Sequence, residues 1–233
     1  MKNIIPQQKS FIPACDITIE EYETLLEKTA DLPQIGAYKI GFQLALLHGL
    51  PQIVDLTRKY TPKPVIFDPQ KGATDIPDLG KSFAQVCSHS GIDAIILFPM
   101  SGPNVEEAWI KAAQEEGLGV IVGGKMTHKG YLQSEGGYIA DSAIPKMYLN
   151  AARLGVRDFV VPGNLPDFVS EVINMLSNEV ENPVYYAPGF IAQGGKIEET
   201  AKVIGDNWHA IIGRAITGSS DIKKSIEELS SKL

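Results

Sequence analysis

Short apolar runs rich in β-branched residues alternate along this chain with amphipathic stretches of a dozen or more residues. That alternation is the mark of repeated βα units around a parallel sheet. The runs predict strands at Phe11 to Cys15, Ala37 to Gly41, Pro64 to Asp68, Ala94 to Phe98, Gly119 to Gly123, Phe159 to Val161, Val184 to Ala187 and Ala210 to Gly213. The amphipathic stretches predict helices over Ile19 to Lys28, Gln43 to Tyr60, Ile76 to Ser90, Val105 to Glu116, Ser142 to Leu154, Pro166 to Ser177, Ile197 to Ile204 and Ile222 to Leu233. Thr18, with Glu21 three residues on, forms a capping-box signature at the first of them, where each side chain can satisfy an orphan backbone N–H. Eight strands in alternation with eight helices fit an α/β fold of the (β/α)8 TIM-barrel type. No GxGxxG follows the first strand, which argues against an open doubly wound sheet. With no linker or compositional break, residues 1–233 read as one barrel domain.

Composition narrows the function. The length of 233 residues and 44% hydrophobic content suit one well-buried core. A net charge of −7 with scattered basic residues lacks the footprint of a nucleic-acid binder, so a small anionic ligand must be held by local donors. The two cysteines, Cys15 and Cys87, have no paired spacing, and the start MKNIIPQQKS lacks the apolar core of a signal peptide. These features predict a cytoplasmic protein with reduced thiols. No apolar run approaches the ~18 residues of a membrane span.

In such barrels the chemistry sits where the strands end. The first strand ends at Asp16, the second carries Lys39 in YKIG, and the third runs into FDPQKGATDIPD with Asp68, Lys71 and Asp75. The fifth leads into GGKMTHKG, the seventh into YAPGFIAQGG and the eighth into IIGRAITG. Glycines allow close backbone approach to an anion, Gln193 can donate an amide N–H, and Arg214 offers a planar fork matched to phosphate oxygens. Together the last two segments read as a phosphate cradle. Lys39, Asp68, Lys71 and Asp75 alternate in charge near the sheet's carboxyl edge, a network suited to proton transfer, although a solvated loop of mixed charge would have the same composition.

The strand-one Asp16, the KIG lysine, the Asp68…Lys71…Asp75-Ile76-Pro77 stretch, Met126-Thr127-His128, Pro188-Gly189…Ala192-Gln193-Gly194-Gly195 and Gly213-Arg214 resemble the orotidine 5'-monophosphate decarboxylase family, in order and separation. The resemblance runs from Asp16 to Arg214; its most specific parts are the DIP segment and the pairing of AQGG with GR. It implies cofactor-free and metal-free decarboxylation of a nucleotide substrate, orotidine 5'-monophosphate, by a homodimer. Asp16 and Lys39 are then expected on the ribose hydroxyls, with Lys39 also in the charged network, Asp68 facing the departing carboxylate and Lys71 protonating the pyrimidine carbon. Asp75 is expected to enter the neighbouring subunit's site with Ile76 as an apolar wall. Thr127 is expected at the base edge, Pro188 and Gln193 in a lid, and Gly213 and Arg214 at the phosphate.

Two departures stand out. The family spaces its charges D-x-K-x-x-D, whereas Asp68 to Lys71 is three positions and Lys71 to Asp75 four. Two extra residues must be absorbed near the strand end, and Pro69 and Gly72 suggest a bulge. Sliding the register back from Asp75 would put Gln70 in place of Asp68; Asp68 is preferred because a glutamine supplies no charge. Leu79 also stands where a threonine contacting the neighbouring ribose is expected.

Other tempting residues have plainer readings. His128 is expected to pack a loop, Cys15 to point to the barrel's other face beside Asp16, and the charges of IKKSIEELSSKL to form the wet face of a last helix. His48, His89 and His209 offer no metal triad. Two other functions remain compatible: a magnesium-dependent lyase like 3-hexulose-6-phosphate synthase, and a catalytically silent nucleotide-binding barrel.

Overall fold

A computed structural model of the chain describes residues 3–233, apart from the side chain of Lys71. The strands β1 (Lys9–Cys15), β2 (Tyr38–Ile40), β3 (Val65–Gly72), β4 (Ala94–Leu97), β5 (Gly119–Gly123), β6 (Asp158–Val160), β7 (Val184–Ala187) and β8 (Trp208–Ile212) pair in chain order. Each pairing is parallel, and β8 returns to β1 to close a barrel. The fold is therefore the (β/α)8 barrel expected.

Around the barrel run α1 (Ile19–Thr29), α2 (Phe42–His48), α3 (Leu50–Tyr60), α4 (Leu79–His89), α5 (Pro103–Glu115), α6 (Ala143–Arg153), α7 (Pro166–Leu176), α8 (Ile197–Ile204), the short α9 (Arg214–Thr217) and α10 (Ile222–Ser230). The capping box forms at α1: Glu21 N–H donates to Thr18 Oγ1 at 3.3 Å, and Thr18 N–H to Glu21 Oε2 at 2.8 Å. Two helix expectations are corrected. The single helix expected from Gln43 to Tyr60 is two, divided at Gly49, whose φ of +79° no helix accommodates and which is followed by Pro51 in the first turn of α3. The helix expected from Ile76 begins at Leu79 instead, because the residue before Pro77 is pushed out of helical conformation.

Alternation divides the core into two layers. Ile12, Ala37, Ile66, Ala94, Ile96, Ile121, Val160, Val184, Tyr186 and Ile211 fill the barrel, with Ile5 closing its lower end. Gly123 makes room for Phe98, three of whose ring atoms lie within 2.8 Å of where a Cβ would be. The opposite strand faces meet the helices in a larger shell that includes Cys15, Phe67, Trp109, Tyr148 and Trp208. Both cysteines are free and buried, and Cys15 points away from the barrel interior, as alternation requires. No helix among the described residues is long and apolar enough to cross a membrane.

Candidate active site

Asp16 follows β1, Lys39 lies in β2 and Asp68 in β3, each in phase with the inward-facing residues of its strand. Lys39 and Asp68 are both buried. Lys39 Nζ lies 3.1 Å from Asp68 Oδ2 and 3.9 Å from Asp16 Oδ2. Burial alone would lower the lysine's pKa, but Asp68 first and Asp16 second outweigh it, so the ammonium is held more firmly than in water. The result is a fixed cation between two carboxylates.

The strand-end irregularity expected around Pro69 and Gly72 is present. Phe67 pairs with Ile95 and Gly72 with Leu97, so five steps along β3 span two along β4. Gln70, at φ +58°, and Ala73, at +66°, turn the chain through this bulge. Gly72 is needed there, since a Cβ would meet Pro69 at 2.9 Å and the Ile96 carbonyl at 3.1 Å. Asp68 keeps its inward direction, while Gln70 reaches Asp16 rather than Lys39. The side chain of Lys71 lies outside the described residues.

Asp16, Lys39, Asp68, Thr127, Pro188, Gln193, Gly213 and Arg214 all line one cavity of about 510 Å³ at the carboxyl ends of the strands. Its apolar wall is built from Ile96, Phe98, Val160 and Ile211 below and Met126 and Phe190 to the side. His128 also reaches this wall, with its ring edge-on to Tyr131 at 6.2 Å. Asp75 and Ile76 stand apart from the wall. Both are exposed, Ile76 to 56%, and Asp75 Oδ1 accepts the Ile76 N–H at 2.7 Å. Trp109 fixes this segment from below by donating its indole N–H to the Ile76 carbonyl at 3.0 Å. Leu79, at the start of α4, is 42% exposed.

The rim beside β7 is a loop closed on itself. Ile191 N–H donates to the Gly195 carbonyl at 2.8 Å, and Gly195 N–H to the Gly189 carbonyl at 3.1 Å. Gly189 has φ +105°, and a Cβ there would crowd Asn164 and Thr127 at 3.0 Å. Asn164, which sequence reasoning missed, donates to the Thr127 carbonyl at 2.9 Å, while Gly163 N–H beside it donates to the Pro188 carbonyl at 2.7 Å, so the segment after β6 ties the base of this loop to the segment after β5. Lys125 was missed as well. It lines the cavity, ion-paired with Glu135 at 2.9 Å and with its ammonium 5.6 Å from the Phe168 ring centre. Its place two residues beyond the end of β5, within GGKMTHKG, was the available signal.

An ion-paired floor, an apolar wall and a glycine-rich rim carrying Gln193 and Arg214 suit a ligand with a flat apolar part and an anionic end. Residues 10–229 match the family described as orotidine 5'-phosphate decarboxylase / HUMPS. The chain is 30% identical over 226 residues to the orotidine 5'-phosphate decarboxylase of Methanosarcina mazei, covering 95% of this chain and 94% of the relative. It is 29% identical over 218 residues to the enzyme of the same name from Methanococcus maripaludis, covering 92% and 93%. In three dimensions it is similar to orotidine 5'-monophosphate decarboxylase from Methanocaldococcus jannaschii complexed with the inhibitor BMP, with a TM-score of 0.82, 25% identity and coverage of 98% and 99%.

Proposed function

The chain belongs to the orotidine 5'-phosphate decarboxylase / HUMPS family, and from that premise we propose that it converts orotidine 5'-monophosphate to uridine 5'-monophosphate and carbon dioxide in de novo pyrimidine biosynthesis. The observation that carries the reading is the joining, in one cavity, of the Lys39–Asp68–Asp16 network with the Gln193 and Arg214 rim.

In this reading Arg214 and Gly213 take the phosphate, Pro188 and Gln193 belong to the lid over it, with the Gln193 amide as a further donor, Asp16 and Lys39 take the ribose hydroxyls, and Thr127 the base edge. The pyrimidine lies against the apolar wall. Its carboxylate is brought up to Asp68, whose negative charge opposes the ground state more than a state in which that charge has spread into the ring. The carbon–carbon bond breaks, its electron pair stays on the ring carbon, and the Lys71 ammonium supplies the proton that forms the new carbon–hydrogen bond. Carbon dioxide leaves, and Lys71 regains its proton from solvent. No cofactor enters the scheme. Binding of the distant phosphate drives closure of the 188–195 loop, which assembles the charged network around the base.

The same proposal includes a homodimer in which Asp75 and Ile76 complete the neighbouring site. Its support is the exposure of both residues and a run of exposed apolar side chains on two consecutive βα units: Phe42, Leu46 and Leu47 on α2, and Ile76, Leu79 and Val86 on and before α4. A cytoplasmic location fits the free thiols of Cys15 and Cys87.

The test follows the loss of orotidine 5'-monophosphate ultraviolet absorbance with purified protein, with and without a chelator. Turnover that resists the chelator is expected. Lys71→Ala should lower it by about 10³-fold or more at saturating substrate, and Arg214→Ala should weaken use of the phosphorylated substrate strongly. Ordinary activity in Lys71→Ala would overturn the assignment.

A further inference from the structure

The bulge in β3 does more than absorb residues. Gln70, at its apex, has a left-handed backbone that side chains other than glycine adopt only when their surroundings hold them there. That conformation turns its backbone N–H onto Asp68 Oδ1 at 3.1 Å, while its side-chain amide reaches Asp16 Oδ1 at 3.3 Å. The other oxygen of each carboxylate, Oδ2 in both, is the one that faces Lys39, at 3.1 Å for Asp68 and 3.9 Å for Asp16. Each aspartate is thus gripped on one oxygen by Lys39 and on the other by Gln70. Gly41 leaves the space for this arrangement, since a Cβ there would lie 2.1 Å from Asp16 Oδ1 and 3.0 Å from Gln70 Nε2.

We propose that Gln70 is a positioning residue, a neutral clamp that sets the two carboxylates relative to each other and to Lys39. The inference rests on the decarboxylase reading, in which Asp16 holds the ribose and Asp68 faces the departing carboxylate. Neutrality is what the position requires. A cation here, added to Lys39 and Lys71, would screen the Asp68 charge that acts on the substrate, and a carboxylate here, added to Asp16, Asp68 and the neighbouring subunit's Asp75, would repel both aspartates at contact distance; an amide fixes an oxygen without doing either. The clamp also joins the group that recognises the sugar to the group beside the reacting bond.

Three variants test it. Gln70→Gly keeps the left-handed turn without steric penalty and retains the backbone N–H to Asp68, but removes the amide. It should fold with a thermal midpoint within about 2 °C of the parent while KM for orotidine 5'-monophosphate rises roughly 3- to 10-fold, with kcat changed less. Gln70→Ala should show the same rise in KM, with a thermal midpoint below that of the glycine variant, since its Cβ keeps the left-handed strain that the parent also carries. Gln70→Glu should raise KM further at pH 8 and recover towards the alanine variant as pH falls to 5, because the nearby Asp16 and Asp68 carboxylates raise the introduced carboxyl's pKa and its protonated form can donate to Asp16. A glycine variant with parental KM and kcat would overturn the proposal, as would a glutamate variant whose KM ratio to the parent stays flat with pH. If the parent protein turns over no orotidine 5'-monophosphate, the decarboxylase reading fails separately. The clamp is then judged by calorimetric binding of uridine 5'-monophosphate: weakening in Gln70→Gly supports it, and unchanged affinity overturns it.

Discussion

The barrel interior holds two polar layers. At the carboxyl end Lys39, Asp68 and Asp16 face one another below the open cavity. At the amino end Ser10 Oγ and His209 Nδ1 share a hydrogen bond of 2.8 Å, and Tyr186 donates its hydroxyl to Asp158 at 2.8 Å, with the Tyr186 and His209 rings 5.1 Å apart. Lys39 and His209 are both buried, yet their charges are opposite in outcome. Lys39 meets two carboxylates and stays cationic. His209 meets a hydroxyl, and burial pushes its pKa down to about 3, so it is neutral under ordinary conditions. Asp158 is pushed up to about 6 by burial, against the opposing hydrogen bond from Tyr186. Burial is thus common to both layers, and what separates the held lysine cation from the neutral imidazole is whether the sheet supplies a countercharge.

The sharpest way to break this contrast is at Lys39. Lys39→Met should lower kcat/KM on the order of 10³-fold and destabilise the fold by about 3 kcal/mol, since it leaves Asp68 buried without its ammonium. Steady-state kinetics and urea unfolding measure both, and a variant that kept its activity would make the upper layer a brace like the lower one.

Next in size is the acid limb of stability. The folded-state pKa of His209 lies below its unfolded value, so its contribution is present above about pH 6.5 and is lost as pH falls towards 3. Between pH 6.5 and 4 the loss from this group is on the order of 3 kcal/mol. Replacing His209 with Gln, which can still bond Ser10, should flatten that limb in urea unfolding at stepped pH and leave activity at pH 7.5 within about twofold.

Asp158 has the opposite sign. Its raised pKa means that its contribution is fully present below about pH 4 and is lost as pH rises through about 6. Asp158→Asn should therefore stabilise the protein above pH 6, by about 1 kcal/mol after allowance for its partial exposure. A thermal midpoint that falls at pH 8 would show that the carboxylate is better satisfied than its burial implies.

Much of this architecture is legible from local pattern. β5 and β7 occupy the residues expected, and the Thr18–Glu21 cap starts α1 where the motif placed it. The errors have local causes of their own. Gly49 sits inside an otherwise helical pattern, and only its positive φ shows that the helix stops there. Ile76 looked like the start of a helix by its apolar character, but Pro77 after it decides the backbone. Lys125 gave little signal because one lysine after a strand is commonplace; its role on the cavity wall comes from the Glu135 loop folding back onto it.

The sequence by itself determined the barrel and the order in which Asp16, Lys39, Asp68, Gln193 and Arg214 arrive at its upper edge, because strand and helix periods are local and each strand end can be read alone. Tertiary structure decided which oxygens of which carboxylates face Lys39. A bulge resets the alternation that a sequence reading relies on, so the choice between Asp68 and Gln70 depended on the pairing of β3 with β4, where Gln70 turns left-handed and joins the site as a clamp.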